Sequence, residues 1–345
     1  MFVKSTTPPT TKDLAKAAGV RRATVDRVLN GRDGVKQKTA ERVNAAIREL
    51  GFVRNLQAAN LARQRNYRFL FALPQARDEF VQQIVRHVEE ATESFSADQV
   101  WAKVQHINEN DPHSISDFLR SLDAEDVSGV AIMAPETPQV RDAIKRLQER
   151  NIAALPFISN QSGFEENCVS IDNRAAGATA ATLLGRFTHA KSGSLMVVSE
   201  SMQSRDSQDR RLGFDEVINT QFRHLRAIPS LETYGDAERA TAIITATLLR
   251  NPDIVGLYIM SSEARAPLKA VENSLLKNQI VTIAHERTPF AEKALQRGAI
   301  DAVIAQNTGH LVRSAIRRLK NMLDHRNTLK SQEVIRTEIL MKTNL

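Results

Sequence analysis

Cysteine is almost missing: the 345 residues contain one, Cys168. That excludes an intramolecular disulfide, fits a reducing compartment and leaves no thiolate cage for a metal. The eight histidines form neither an HExxH pair nor a Cys–His spacing, so neither a metal nor any other cofactor is expected. A Gly-rich phosphate loop and a Gly-x-Ser-x-Gly elbow are also lacking; Gly31-Arg32-Asp33-Gly34 belongs to a turn between helices. The acids Glu165, Glu166 and Asp209 fit loop and helix-start positions better than catalytic ones, so no enzyme is predicted. Apolar runs stay far short of the roughly 20 residues needed to span a bilayer. The stretch 1–9 has no apolar run either and reads as a disordered tail rather than a secretory signal. Aromatics make up 5% of the chain, and the single tryptophan, Trp101, sits at strand spacing and is expected in the core, as is Cys168.

What the chain does have is a charge imbalance confined to one end. Residues 1–65 carry 14 Lys and Arg against 5 Asp and Glu, while the remainder carries 33 against 35. A basic excess held in about a fifth of the chain is the footprint of phosphate contacts.

The same stretch shows helical punctuation. Thr10 followed by Asp13 is a capping-box start, Leu14, Ala17 and Ala18 recur at helical spacing, and Gly19 is the stop. Ala23 to Leu29 forms a second short helix with Val25, Val28 and Leu29 inward. Thr39 to Leu50 forms a third, with Ala40, Val43, Ala46, Ile47 and Leu50 on one stripe and Gly51 as its end; Lys36 offers only a weak cap. Three such helices pack at steep angles, and the second then projects Arg22, Ala23 and Arg27, which suits a major groove.

Ala18-Gly19-Val20, Thr24-Val25, Arg27-Val28-Leu29-Asn30, Thr39, Arg42-Val43, Ala46-Ile47, Leu50-Gly51-Phe52 and Asn55 resemble the headpiece of the lac repressor (LacI) family. The resemblance implies that Arg21, Arg22, Ala23 and Arg27 meet an operator. It also implies a hinge helix at 56–63 that forms on DNA with Leu61 in the minor groove. The whole DNA-facing set is Thr10, Arg21, Arg22, Ala23, Thr24, Arg27, Asn30, Lys36, Asn55, Ala58 and Leu61. Arg21 and Asp26 stand where serines are usual, which bears on the operator sequence rather than on DNA binding.

From Phe69 onward, uninterrupted apolar strands alternate with amphipathic helices, and the pattern restarts near Ala175. This predicts a two-lobed α/β core, each lobe a doubly wound, mostly parallel sheet. Strands are expected at Phe69–Leu73, Val100–Val104, Gly129–Met133, Ala153–Ile158, Leu195–Val198, Ile254–Met260, Ile280–Ala284 and Ala302–Ala305, and a helix over Arg210–Asn219. Ligands collect beyond the carboxyl ends of such strands, in the crevice. That selects Gln75, Asp78, Glu79, Phe80, Glu136, Ser159, Asn160, Glu200, Arg205, Asp206, Ser261, Ser262, Arg265, His285, Glu286 and Gln306.

Ile171-Asp172-Asn173, Ala176-Gly177, Arg210-Arg211-Leu212-Gly213-Phe214 and Gly298 to Ile304 with Gln306 extend the resemblance to the family's regulatory core, similar to periplasmic sugar-binding proteins of type I. It implies that Arg210, Glu286 and Gln306 contact the ligand, whereas Asn160 stands where many relatives carry aspartate. The ligand set becomes Asp78, Phe80, Glu136, Ser159, Asn160, Arg205, Arg210, Ser261, Ser262, His285, Glu286 and Gln306.

The expected organisation is a tail at 1–9, a helix-turn-helix domain at 10–55, a hinge at 56–66 and an effector core at 67–345. Its N-terminal lobe takes 67–172 and 307–330, its C-terminal lobe 173–305 and 331–345. The expected protein is a cytoplasmic, nucleoid-associated homodimeric repressor binding double-stranded operator DNA and sensing a sugar or polyol, with no membrane partner. A sugar-binding protein or a cleft enzyme on the same scaffold is the alternative.

Overall fold

The computed structural model describes residues 9–29, 34–52, 66–75, 78–188, 192–276, 279–327 and 330–345. The chain divides into two compact units, 1–65 and 66–345. Among the described residues, no helix is long and apolar enough to cross a membrane.

The first unit holds helices α1 (Thr11–Ala17), α2 (Arg22–Leu29) and α3 (Gln37–Leu50) around Leu14, Ala18, Val25, Val43 and Ala46. Thr10 and Asp13 form the reciprocal cap, Asp13 N donating to Thr10 Oγ1 at 3.3 Å and Thr10 N to Asp13 Oδ2 at 2.8 Å. Gly19 ends α1 at φ +61°, and a Cβ there would lie 2.7 Å from the Arg42 guanidinium. That guanidinium donates to the carbonyls of Ala18 and Gly19, tying α3 to the α1–α2 turn. Lys36 gives α3 no side-chain cap. Leu50, expected inward, is 38% exposed because Gly51 terminates the helix at the edge of this small core.

The second unit contains two sheets. In the first lobe the strands β1 (Tyr67–Leu73), β2 (Val100–His106), β3 (Gly129–Ile132) and β4 (Ala153–Pro156) run parallel in the order β2-β1-β3-β4. Helices α4 (Glu79–Ser94), α5 (Pro112–Ser121) and α6 (Pro138–Glu149) make the crossovers. In the second lobe come α7 (Asn173–Phe187), β5 (Gly193–Ser199), α8 (Arg205–Gln221), β6 (Leu225–Ala227), β7 (Leu231–Glu232) and α9 (Ala237–Arg250). They are followed by β8 (Ile254–Ile259), α10 (Arg265–Glu272), β9 (Val281–His285), α11 (Pro289–Gln296) and β10 (Ala302–Gln306). The order is β11-β10-β9-β8-β5-β6, where β11 (Thr337–Leu340) is antiparallel and β7 pairs with β5.

Strand alternation feeds two cores per sheet. Phe69, Phe71 and Leu73 of β1 face one core while Leu70 and Ala72 face another; in β5, Leu195 and Val197 part from Met196 and Val198 in the same way. Each fully buried side chain of this kind contributes about 1.5–3 kcal/mol.

The chain crosses between lobes three times: after β4, after β10 and before β11. Helix α12 (Thr308–Leu323) leaves the second lobe's sheet and packs against β1, β3, β4 and α4 of the first. Its far end is tied there by Lys320 to Asp98 at 3.3 Å and by Tyr67 Oη donating to Asp324 at 2.7 Å. The short helix α13 (Lys330–Glu333) anchors the return, with Glu333 accepting from Arg317 at 2.7 Å and from Ser314.

Trp101 departs from expectation. It is 45% exposed, because β2 is the edge of the first sheet and its outer face has no covering helix there. Cys168 is only partly buried; its thiol donates to Ser170 Oγ at 3.4 Å, and burial pushes its pKa up to about 11, away from reactivity.

Candidate functional site

In the first unit, burial of Val25 fixes the rotation of α2 and leaves Arg22, Ala23 and Arg27 exposed on one side, with Arg21 exposed just before it and Thr24 half-buried. Lys36 is exposed at the start of α3. The Thr10 hydroxyl is committed to Asp13 Oδ2 at 2.7 Å, which makes it a helix cap first. Asn30, Asn55, Ala58 and Leu61, together with the expected hinge helix, lie outside the described residues.

The cleft of the second unit is built from strand ends, as the fold requires, but its chemistry divides into a floor and a rim. Arg210 anchors the floor. Helix α8 starts at Arg205, not at Arg210 as the sequence pattern suggested, so Arg210 lies on an inner helical face instead of at the helix mouth. Its position is set by two glycines. A Cβ on Gly177 would sit 1.8 Å from the Arg210 carbonyl oxygen and one on Gly213 1.9 Å from that of Arg174, so α7 and α8 touch backbone to backbone. Arg210 is 5% exposed and donates from Nε to Asn173 Oδ1 (2.8 Å), from Nη1 to the Met260 carbonyl (2.6 Å) and from Nη2 to Glu286 Oε1 (3.3 Å). Gln306 Nε2 donates to the same carboxylate oxygen at 2.9 Å.

Glu286 sits just past β9 at φ +66°, a backbone region that a residue with a Cβ seldom occupies. Burial pushes its pKa up to about 7, although Arg210 and Gln306 pull the other way. His285, expected to line the cleft, is fully buried within the sheet instead, because β9 runs one residue further than the apolar run suggested. Its Nε2 meets Tyr258 Oη at 2.8 Å, burial keeps the imidazole neutral, and Tyr258 stacks on Phe214 at 4.8 Å. Phe80 is likewise a core residue of the first lobe, 5% exposed.

The rim is polar, more exposed and shared between lobes. Asp78 caps α4 through Val81 N at 2.8 Å and accepts from Ser262 Oγ of the other lobe at 3.3 Å. Glu136 accepts from Ser162 N at 3.0 Å, pairs with Arg141 at 3.3 Å and reaches Arg205 across the cleft at 3.6 Å. Glu79 pairs with Arg265 and accepts from Phe290 N at 2.9 Å, and Gln83 donates to the Arg287 carbonyl at 2.9 Å. Ser159, Asn160 and Ser261 are half-buried, and Asn160 Oδ1 accepts from Gln161 N at 2.8 Å.

Asn173, Gln83 and Arg287 were not singled out by sequence reasoning as site residues. Asn173 could have been, because it directly follows Asp172, the cap of α7, and so faces a strand-end crevice. No local signal marks Gln83 or Arg287, whose link joins segments 204 residues apart.

Comparison with known proteins agrees with this architecture. Residues 10–55 match the model of bacterial regulatory proteins of the lacI family, and residues 69–327 match a periplasmic binding protein domain. The chain is 34% identical over 136 residues to the HTH-type transcriptional regulator RegA of Clostridium saccharobutylicum, a match spanning 39% of each chain. It is 22% identical over 286 residues to catabolite control protein A of Staphylococcus xylosus, covering 81% of this chain and 83% of that one. Among solved structures, a glucose-galactose binding protein from Geobacillus stearothermophilus shares the fold with a TM-score of 0.71 at 19% identity, covering 81% of this chain and 99% of that one. A solute binding protein from Actinobacillus succinogenes with bound D-allose gives 0.73 at 16% identity, with coverages of 81% and 99%. A basic helix-turn-helix unit joined to a two-lobed core with a buried polar floor thus places this chain in the LacI family of bacterial regulatory proteins.

Proposed function

We propose that the chain acts as a cytoplasmic homodimeric repressor that binds a pseudo-palindromic operator and releases or retains it according to a small sugar-like or polyol effector held between the lobes. The observation that carries this reading is the joining, in one chain, of an exposed arginine face on α2 with a cleft whose floor is a buried Arg210–Glu286–Gln306 network. One α2 helix reads few base pairs, so a twofold protein on a twofold site supplies the missing specificity. Arg21, Arg22, Ala23, Thr24 and Arg27 face bases and phosphates, Thr10 and Lys36 flank them, and Asn30, Asn55, Ala58 and Leu61 complete the contact set. Effector binding shifts the population of lobe arrangements and so changes the spacing of the two headpieces.

The test is selection of a duplex from random sequence, followed by binding titrations. Arg22→Ala is expected to lose about 1–3 kcal/mol on the selected duplex if its contact is bidentate, and much less on random DNA. Equal losses on both would place Arg22 on phosphate rather than on a base.

A further inference from the structure

The cleft's charge is one-sided once its ion pairs are set aside. Arg141, Arg205, Arg210, Arg265 and Arg287 each have a carboxylate partner. Asp78, Glu109, Glu200 and Asp206, which follow β1, β2 and β5, have no cationic partner among the described residues. Asp78, Glu109 and Asp206 are all close enough to act on Glu200. Partial burial, and then the charges of Asp78, Glu109, Asp206 and Glu263, hold the Glu200 carboxyl above the ordinary carboxylate range, although much of that side chain remains exposed. Asp206 acts in turn on Glu286, so the acidic set reaches down to the floor.

A second observation is independent of charge. Glu286 and Gln306 are 3% and 4% exposed, yet Glu286 Oε2 and Gln306 Oε1 have no protein hydrogen-bond partner, and neither has the buried Oδ1 of Asp206. All three oxygens are acceptors when Glu286 is ionised, and a bound cation favours that ionised form. Among the described residues, the one buried nitrogen in the same condition besides the His285 ring atom is Arg318 Nε, whose guanidinium serves the carbonyls of Glu166 and Cys168. Arg210 already spends three of its five N–H groups on Asn173, Met260 and Glu286. Leaving buried acceptors unmet is costly, so the fitting occupant brings donors, and the surrounding negative charge favours those donors being positive.

We propose that the effector is an amine-bearing polyol of the hexosamine kind, its ammonium group held among Glu286, Asp206 and Glu200, in preference to a neutral or phosphorylated sugar. This rests on the reading that the cleft is an effector site. The ammonium supplies three donors and one positive charge to three oxygen-rich side chains, and the hydroxyls meet the half-buried Ser261, Ser262 and Asn160.

The experiment is calorimetric titration of the full chain with D-glucosamine, D-galactosamine and D-mannosamine. Each is compared with its parent hexose and its N-acetyl form, and D-glucose 6-phosphate is included. At least one hexosamine is expected to bind about tenfold or more tighter than both neutral forms, the ratio that one charge-assisted contact supplies. No hexosamine preference, or tighter binding of the phosphorylated sugar, overturns the proposal. Glu200→Gln is expected to reduce the preference while raising the melting temperature of the unliganded chain, because a repelling charge has gone. A lowered melting temperature, with the preference intact in both Glu200→Gln and Asp206→Asn, also overturns it. Hexosamine binding that leaves operator affinity unmoved would sink the effector role of the cleft but not this assignment. Operator binding without amine preference does the reverse.

Discussion

The two lobes share an architecture but divide the labour of the cleft unequally. The C-terminal lobe supplies the floor: Arg210, Asn173 and Glu286, with Gln306 from β10, are held by one another at 2.8–3.3 Å before any ligand arrives. The N-terminal lobe supplies rim groups, Asp78, Glu79, Gln83 and Glu136, each of which reaches the opposite lobe through a hydrogen bond or an ion pair. A floor whose members are mutually fixed gives orientation at little entropic cost on binding. A rim of part-exposed pairs worth about 0–1 kcal/mol each holds the lobes together so weakly that a ligand can re-weight their arrangement.

That division can be broken at four places, in decreasing order of effect. Arg210→Ala removes the one cationic partner, among the described residues, of a carboxylate that is 3% exposed, so a loss of about 3–5 kcal/mol in denaturant unfolding is expected, together with loss of effector response. Near-wild-type stability would mean that the floor is not preformed. Gly213→Ala forces α7 and α8 apart at a point where the new methyl would lie 1.9 Å from a carbonyl oxygen, and about 1–3 kcal/mol should be lost in the same assay.

The third is a pH effect. Because burial raises Glu286 to about 7, the folded chain binds a proton more tightly than the unfolded chain between its ordinary value of 4.5 and that value. This contribution is fully present below about pH 4.5 and disappears as pH rises through about 7. Melting temperature should therefore fall across that window more steeply than in Glu286→Gln, and parallel slopes would refute the assignment. The smallest effect belongs to the rim. Glu79→Gln should cost about 0–1 kcal/mol in stability yet increase amide exchange in α10 and the start of α11, where Arg265 loses an ionised partner and Phe290 N keeps only a neutral amide oxygen. Unchanged exchange there would show that the rim does not gate the lobes.

How much of this was readable in the sequence depended on whether the cause was local. Strands β1 to β5 and β8 to β10 announced themselves as apolar runs, whereas the short, partly polar β6, β7 and β11 did not. Helix α8 did not announce its start either, since Arg205 to Asp209 is wholly polar and reads as loop; its helicity comes from packing on α7 rather than from an apolar stripe of its own. His285 was misplaced because one extra strand residue turns a side chain from the crevice to the sheet interior. Trp101 was misjudged because periodicity reveals which residues share a face but not whether that face is covered. Glu286 and Gln306 could be nominated from strand ends, but the joining of Glu286 to Arg210 and to Gln306 depends on contacts across 76 and 20 positions, beyond any local pattern.

The crossing of α12 has a consequence for how the protein is made. The first lobe opens with β1 at Tyr67, yet the helix that closes it, Thr308–Leu323, emerges from the ribosome only after most of the second lobe. The second lobe in turn waits for β11 at Thr337–Leu340 to cover the outer edge of β10. Neither lobe can be completed alone during synthesis, and a chain that stops short of Thr308 lacks the seal of both. Premature termination before this segment is therefore expected to leave both lobes unfinished, with apolar faces that α12 and β11 would otherwise cover.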